Sequence, residues 1–236
     1  MKSNSQTALL ALIVLFTMAL AITVSWLSIS SLPTPTRTGG SSSLASTDSH
    51  TVAPESELPT EAPTEPFSKG LLFSPNGDGS CTLAGLGSCT DASVVIPAYA
   101  PTGERVTAIA PMAFYGVRGV SAIQLPSTVI EIGALAFADC QSLVYIAVHP
   151  DNLYFCDRDG VLYSADQATL IVYPPMRAGS EVWISVSTVR IRDMAFYRCE
   201  NLSRVRYGGT AAEWESIRIG ARNYSLTAAA KEFEAN

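Results

Sequence analysis

A cysteine–histidine nucleophile pair, or a mixed histidine and cysteine metal site, needs a histidine held beside its partner. This chain has two, His50 and His149, the latter followed directly by Pro150. Neither is set in a spacing that supplies that chemistry, and the five cysteines contain no C-x-x-C pair. Two acidic segments invite a site reading. Pro75-Asn76-Gly77-Asp78-Gly79 is rich in oxygen ligands but lacks the full D-x-[DN]-x-[DN]-G pattern and the closing glutamate of an EF-hand. Asp157-Arg158-Asp159-Gly160 lies between two apolar triplets. Asn-Gly and Asp-Gly between strands are hairpin turns, because glycine takes positive φ at little cost. No acid, base and nucleophile converge, so no catalytic residue, metal or cofactor is expected, and a hydrolase of surface polymers is the weakest reading of the chain.

What the sequence does carry is a repeat. With each copy's phenylalanine as origin (Phe114, Phe137, Phe196), isoleucine stands five before it at Ile109, Ile132 and Ile191, and alanine one before at Ala113, Ala136 and Ala195. Downstream, offset +3 holds Val117, Cys140 and Cys199, offset +6 Val120, Leu143 and Leu202, and offset +9 Ile123, Ile146 and Val205. The period is 23 residues, and the third copy follows an insertion of 36. Self-similarity of this length with L-x-x-I-x-V spacing marks a leucine-rich-repeat solenoid. Each L-x-x-I-x-V half predicts one short parallel strand, with Leu143, Ile146 and Val148 inward and Tyr145 and Ala147 toward solvent. The phenylalanines are expected to stack in one ladder. Cys140 and Cys199, sharing an offset that demands a small buried residue, are expected to pack in the core. Cys81 and Cys89 stay open as a disulfide in an exported chain, and Cys156 is unassigned.

The residues I-x-x-x-A-F-x-x-C-x-x-L-x-x-I at Ile132–Ile146 and Ile191–Val205, the insertion Asp159-Gly160-Val161-Leu162-Tyr163, and Tyr207-x-Gly209-Thr210-x-x-Glu213-Trp214-x-x-Ile217 resemble the BspA-type leucine-rich repeat family. The resemblance covers roughly 72–230 and implies a surface protein of a bacterium or protist, of a kind that includes adhesins. It brings no catalytic residues. Val117 in place of cysteine departs from the pattern, and the array is short.

The expected fold is an α/β-type repeat solenoid, short and right-handed, with parallel strands and a cover at each end, preceded by one transmembrane helix and a disordered stalk. Ala8–Ile29 is uncharged, apolar and long enough to cross a hydrocarbon core of ~30 Å. It reads as an anchor with the remainder outside the cell, or as a cleaved signal if the weak site Ser28-Ile29-Ser30 is used. The segments are therefore 1–7 cytoplasmic, 8–30 transmembrane, 31–66 a linker rich in Pro, Ser and Thr, and 67–236 the repeat domain. Within that domain, 67–103 forms the N-terminal cap, 104–126 and 127–150 the first two repeats, 151–184 a degenerate repeat, 185–207 the third repeat and 208–236 the C-terminal cap. There, Thr210-Ala211-Ala212-Glu213 matches a capping box ahead of a short helix, with Trp214 and Ile217 turned inward. A last helix is expected within Leu226–Ala235.

The repeat domain, 67–236, has 13 basic and 16 acidic residues, and its net charge of −3 disfavours nucleic acid as a partner. Between Arg177 and Arg206, however, six arginines oppose Glu181, Asp193 and Glu200. The expected partner is an extracellular protein or glycan, met by outward residues of the repeat strands: Gln124, Tyr145, Arg204 and Arg206. Arg204 and Arg206, two apart on one strand face, point to an acidic partner. A non-catalytic envelope scaffold is the alternative function.

Overall fold

The computed structural model describes residues 67–234. The segments read as membrane anchor and linker lie outside the described residues. Among the described residues no helix is long and apolar enough to cross a membrane.

Each copy contributes two strands rather than one. The isoleucine five before the phenylalanine ends a short strand of its own, and this builds a second parallel sheet opposite the first. Along the chain run β1 (Leu72–Pro75), β2 (Ser80–Gly85), β3 (Ser93–Val95), β4 (Arg105–Ile109), β5 (Ala122–Leu125), β6 (Glu131–Ile132) and β7 (Tyr145–Val148). The order β3-β5-β7 forms one sheet and β1-β2-β4-β6 the other, parallel throughout except for the β1–β2 hairpin. Ala122 to Leu125 pair with Tyr145 to Val148 at the repeat period, so inward Ile123 lies beside inward Ile146. Asn76-Gly77-Asp78-Gly79 is the β1–β2 turn: Gly77 and Gly79 have φ of 86° and 82°, and Asp78 Oδ1 accepts from Ser80 N and Oγ.

The insertion follows as β8 (Phe155–Arg158), β9 (Val161–Ser164) and β10 (Thr169–Val172), then β11 (Glu181–Ile184), β12 (Arg190–Ile191) and β13 (Arg204–Tyr207). After these come α1 (Ala211–Glu215), β14 (Arg218–Ile219), α2 (Tyr224–Ala228) and β15 (Ala230–Phe233). Their sheets are β14-β12-β10-β9-β8 and β11-β13-β15. Asp159 and Gly160 make the β8–β9 turn with φ of 49° and 81°. The capping box is complete, with the Thr210 side chain accepting from Glu213 N and Glu213 accepting from Thr210 N. Trp214 lies on α1 and Ile217 just beyond its C-cap, both buried. The expected final helix is cut short, because the chain from Ala230 extends and pairs in parallel with β13. The helical share of an α/β reading is thus confined, among the described residues, to two five-residue helices.

The core is two clusters rather than one. Phe114, Phe137, Ile123 and Ile146 belong to the first; Tyr173, Phe196, Val205 and Trp214 to the second. Strands β9 and β10 stand between them. Leu162 and Ile171 face the first cluster, while Val161, Tyr163 and Leu170 face the second. A strand buried on both faces reads as an unbroken apolar run, and this is why Val161-Leu162-Tyr163 and Leu170-Ile171-Val172-Tyr173 show no polar alternation. The expected single ladder is split accordingly. Phe114 stacks on Phe137 at 5.5 Å, whereas Phe196 stacks on Tyr173 at 5.0 Å. Tyr173 lies one period before Phe196 and takes the phenylalanine's place in a degenerate copy hidden inside the insertion.

The repeat positions have backbone reasons. In each stack the amide of one aromatic donates to the carbonyl of the next copy's alanine: Phe114 N to Ala136 O and Tyr173 N to Ala195 O, both 2.8 Å. The cysteine three after the aromatic donates backward across 26 residues, Cys140 Sγ to Phe114 O at 3.0 Å and Cys199 Sγ to Tyr173 O at 3.6 Å. A small side chain with a weak donor suits that slot. Val117 has no preceding copy to serve, since Asp91 stands one period before Phe114. Met112, Leu135 and Met194, all two before the aromatic, share φ of 56–59°, a left-handed bend that each copy imposes on a non-glycine residue.

Candidate binding surface

The residues expected to meet a partner fall on two separate sheets. Gln124 on β5 is half-buried. Tyr145 on β7 does not stand in solvent, because the β8–β9 hairpin folds over it. Its hydroxyl donates to Asp157 Oδ2 at 3.3 Å, and its ring lies so close to Gly160 that a Cβ there would collide with it. Burial first, then the Asp157 charge, pushes the Tyr145 phenol up to about 12. Asp157 is therefore more than turn chemistry: its Oδ1 also accepts from Val148 N at 2.8 Å, tying hairpin to β7. Burial raises its own carboxyl above the ordinary value, against the hydrogen bonds that lower it. The free edge of β7 is covered as well, with Ile146 N donating to Gly160 O at 3.0 Å.

Arg204 and Arg206 on β13 do share one exposed face, but they are not bare charge. Arg204 pairs with Glu181 at 3.5 Å and Glu232 at 3.1 Å. Arg206 pairs with Glu181 at 3.6 Å and Glu234 at 3.4 Å. Glu181 comes from β11 and Glu232 from β15, the strands on either side. The sequence reading missed Glu232 and Glu234 because it placed them in a helix; as a strand, the tail brings them beside the arginines. The surface is a mixed-charge lattice, worth little to stability because exposed pairs of this kind contribute ~0–1 kcal/mol.

Cys81 and Cys89 are both buried and are free thiols in the structure. Cys81 sits on β2 with its Sγ 3.8 Å from Glu104 O, and burial raises its pKa. Among the described residues no three His, Cys, Asp or Glu side chains gather into a metal site.

A second concavity had no signal in the sequence beyond its turn residues. It is a groove of about 430 Å³ lined by Arg158, Asp159, Val161, Tyr163, Arg177, Val182 and Trp183. The hairpin supplies one wall and β11 the other. Arg158 stacks over the Trp183 ring at 4.8 Å, and Arg177 Nε donates to Asp159 O at 3.0 Å. Along β11 Val182 and Ile184 are buried and Trp183 is exposed, and no pattern in the sequence shows that the hairpin lies against the indole.

Two parallel sheets in register at the repeat period, closed over stacked aromatics, define a leucine-rich-repeat solenoid. The particular likeness is to the BspA type: residues 95–158 match the model of the BspA type Leucine rich repeat region (6 copies). No curated protein matches the chain. Among solved structures, the pneumococcal vaccine antigen PcpA is 23% identical over 56% of this chain and 31% of its own, with a TM-score of 0.47. A leucine-rich repeat protein from Eubacterium ventriosum is 17% identical over 56% of this chain and 47% of its own, with a TM-score of 0.41. The T. pallidum leucine rich repeat protein is 23% identical over 58% and 69%, with a TM-score of 0.39. The chain thus spans about a third and about half the length of the first two.

Proposed function

We propose that this chain is a membrane-anchored extracellular recognition module: 8–30 anchors it, 31–66 spaces it from the membrane, and 67–236 presents the repeat array to a protein or glycan ligand. The β1–β2 hairpin serves as the N-terminal cap, and α1, α2 and β15 as the C-terminal cap, each covering an end that would otherwise expose core. The repeat boundaries, with copies at 104–126, 127–150 and 185–207 and a degenerate one at 151–184, are part of this proposal. Leucine-rich repeats generally mediate binding, and the array's role is adhesion or recognition rather than catalysis.

The observation that carries this reading is the outward face of β11-β13-β15, where Trp183, Arg204 and Arg206 stand side by side on adjacent strands. Tryptophan and arginine are the types enriched at binding hot spots, and arginine's planar fork suits carboxylates. A partner carboxylate would exchange with Glu181, Glu232 or Glu234 rather than meet a bare cation, which favours selectivity over raw affinity.

Binding of the full chain to glycan and protein arrays tests the proposal. A reproducible ligand is expected, with Arg204→Ser/Arg206→Ser weakening its binding more at low salt than at high salt. An array without any ligand would favour the scaffold reading, and undiminished binding by the double variant would move the site off this face.

A further inference from the structure

We infer that the groove between the β8–β9 hairpin and β11 is a binding site for a carboxylated sugar. The inference rests on the recognition reading above and gives it a ligand class and a place. Three independent features of the groove converge.

The first is a tyrosine hydroxyl left free for a ligand. Tyr163 is 2% exposed and lines the groove, yet its hydroxyl has no hydrogen-bond partner among the described residues. Although the ring is buried, the oxygen is not sealed from solvent, so it can exchange its hydrogen bonds with a ligand. Burial first raises the pKa of this phenol, and the Arg158 and Arg177 charges of the groove lining act against that rise. The second is cationic. The Arg158 side chain makes no ion pair or hydrogen bond among the described residues; its guanidinium lies over the Trp183 ring, which leaves its donors open. Arg177 adds a second guanidinium, already oriented by Asp159 O and by Glu181 O at 3.4 Å. Asp159, 4.0 Å from Arg177, is the one carboxylate in the lining and directs an incoming anion toward Arg158. The third is apolar: Val161, Val182 and a Trp183 indole that is 39% exposed.

Guanidinium donors take a carboxylate, a tyrosine hydroxyl exchanges hydrogen bonds with a ring hydroxyl, and an indole edge with two valines accepts the C–H face of a pyranose. One ligand class presents all three groups within the span of a single ring, namely uronic and sialic acid residues. The volume of about 430 Å³ fits one or two such rings and lies within the ~300–1,000 Å³ usual for small-ligand sites. The groove opens beside Trp183, which is paired in register with Arg206, so a longer glycan would continue onto the β13 face.

Calorimetric titration of the full chain with glucuronic acid, N-acetylneuraminic acid and an oligogalacturonate tests this, with glucose, N-acetylglucosamine and a glutamate-rich peptide as comparisons. Saturable binding of at least one carboxylated sugar is expected, with each neutral sugar about tenfold weaker or more. Arg158→Gln should weaken the acidic sugar by about tenfold, and Tyr163→Phe by several-fold with a melting temperature unchanged or raised. Equal affinity for neutral sugars, indifference to Arg158→Gln, a lowered melting temperature for Tyr163→Phe, or binding of the peptide alone would each overturn the assignment. A ligand found on arrays that responds to Arg204→Ser/Arg206→Ser but to neither groove variant would refute the groove and leave the recognition reading standing. No ligand at all would remove both.

Discussion

Removing the ring of Phe137 should destabilise the repeat domain by ~3–5 kcal/mol, the usual cost of a large-to-small change at a filled core site. Phe137 is 3% exposed and stacks on Phe114 at an interplanar angle of 20°. At ~2–4 °C per kcal/mol for a domain of this size, Phe137→Ala should lower the melting temperature by about 6–20 °C. The sharper test is where that loss is shared. Phe114 and Phe137 touch within one cluster, so their double-mutant cycle should show a coupling of ~0.5–1.5 kcal/mol from the ring stack itself. Phe137 and Phe196 lie in different clusters with β9 and β10 between, so their alanine changes should add to within ~0.5 kcal/mol. Urea denaturation followed by far-UV circular dichroism measures all four corners of each cycle. Coupling of ~1 kcal/mol or more between Phe137 and Phe196 would restore the single ladder and refute the partition by the hairpin; an unchanged melting temperature for Phe137→Ala would sink the shared-core argument altogether.

Three further outcomes follow from named groups. The Asp157 carboxyl has a folded-state pKa raised above its unfolded value of 3.8, so the folded state holds the proton more tightly and stability falls as pH rises through that window. Asp157→Asn keeps an acceptor for Val148 N, so it should flatten this part of the pH–stability curve and leave stability at neutral pH equal or higher; a steep loss at pH 7 would contradict the burial argument. Asn223 closes the second stack: its Oδ1 accepts from Phe196 N at 2.8 Å where the next copy's alanine carbonyl would stand, and its Nδ2 donates to Arg192 O and Gly220 O. Asn223→Ala should cost roughly 1–3 kcal/mol through these orphaned backbone groups, measured by thermal melting, and a neutral result would show that water replaces the side chain. Finally, burial pushes the Cys140 and Cys199 thiols up to about 12, so both should resist alkylation at pH 8 until the chain is unfolded, when mass spectrometry should find them labelled. Fast native labelling of either would contradict their placement in the core, and the same spectra taken without reductant report whether Cys81 and Cys89 are bonded.

The sequence by itself determined whatever is local and periodic. A 23-residue period with inward Ile123, Ile146 and Val205 leaves one register that keeps apolar side chains together, and the structure pairs the strands in it. Asp159-Gly160 and Asn76-Gly77-Asp78-Gly79 were legible as turns because positive φ is a property of the residues themselves. What only the tertiary structure decided is adjacency across the insertion. Nothing local to Tyr145 says that a hairpin closed by Asp159-Gly160 will cover it, and nothing local to Tyr173 says that it will stack on Phe196. The alanine-rich tail was read as helix on intrinsic propensity, yet its last residues are strand because β13 offered an unpaired edge, and that pairing set Glu232 and Glu234 against Arg204 and Arg206. The groove has the same origin. Arg158 and Trp183 lie 25 residues apart in the sequence and meet only because the hairpin packs against β11, a contact fixed by the packing of two cores and by no pattern in either segment.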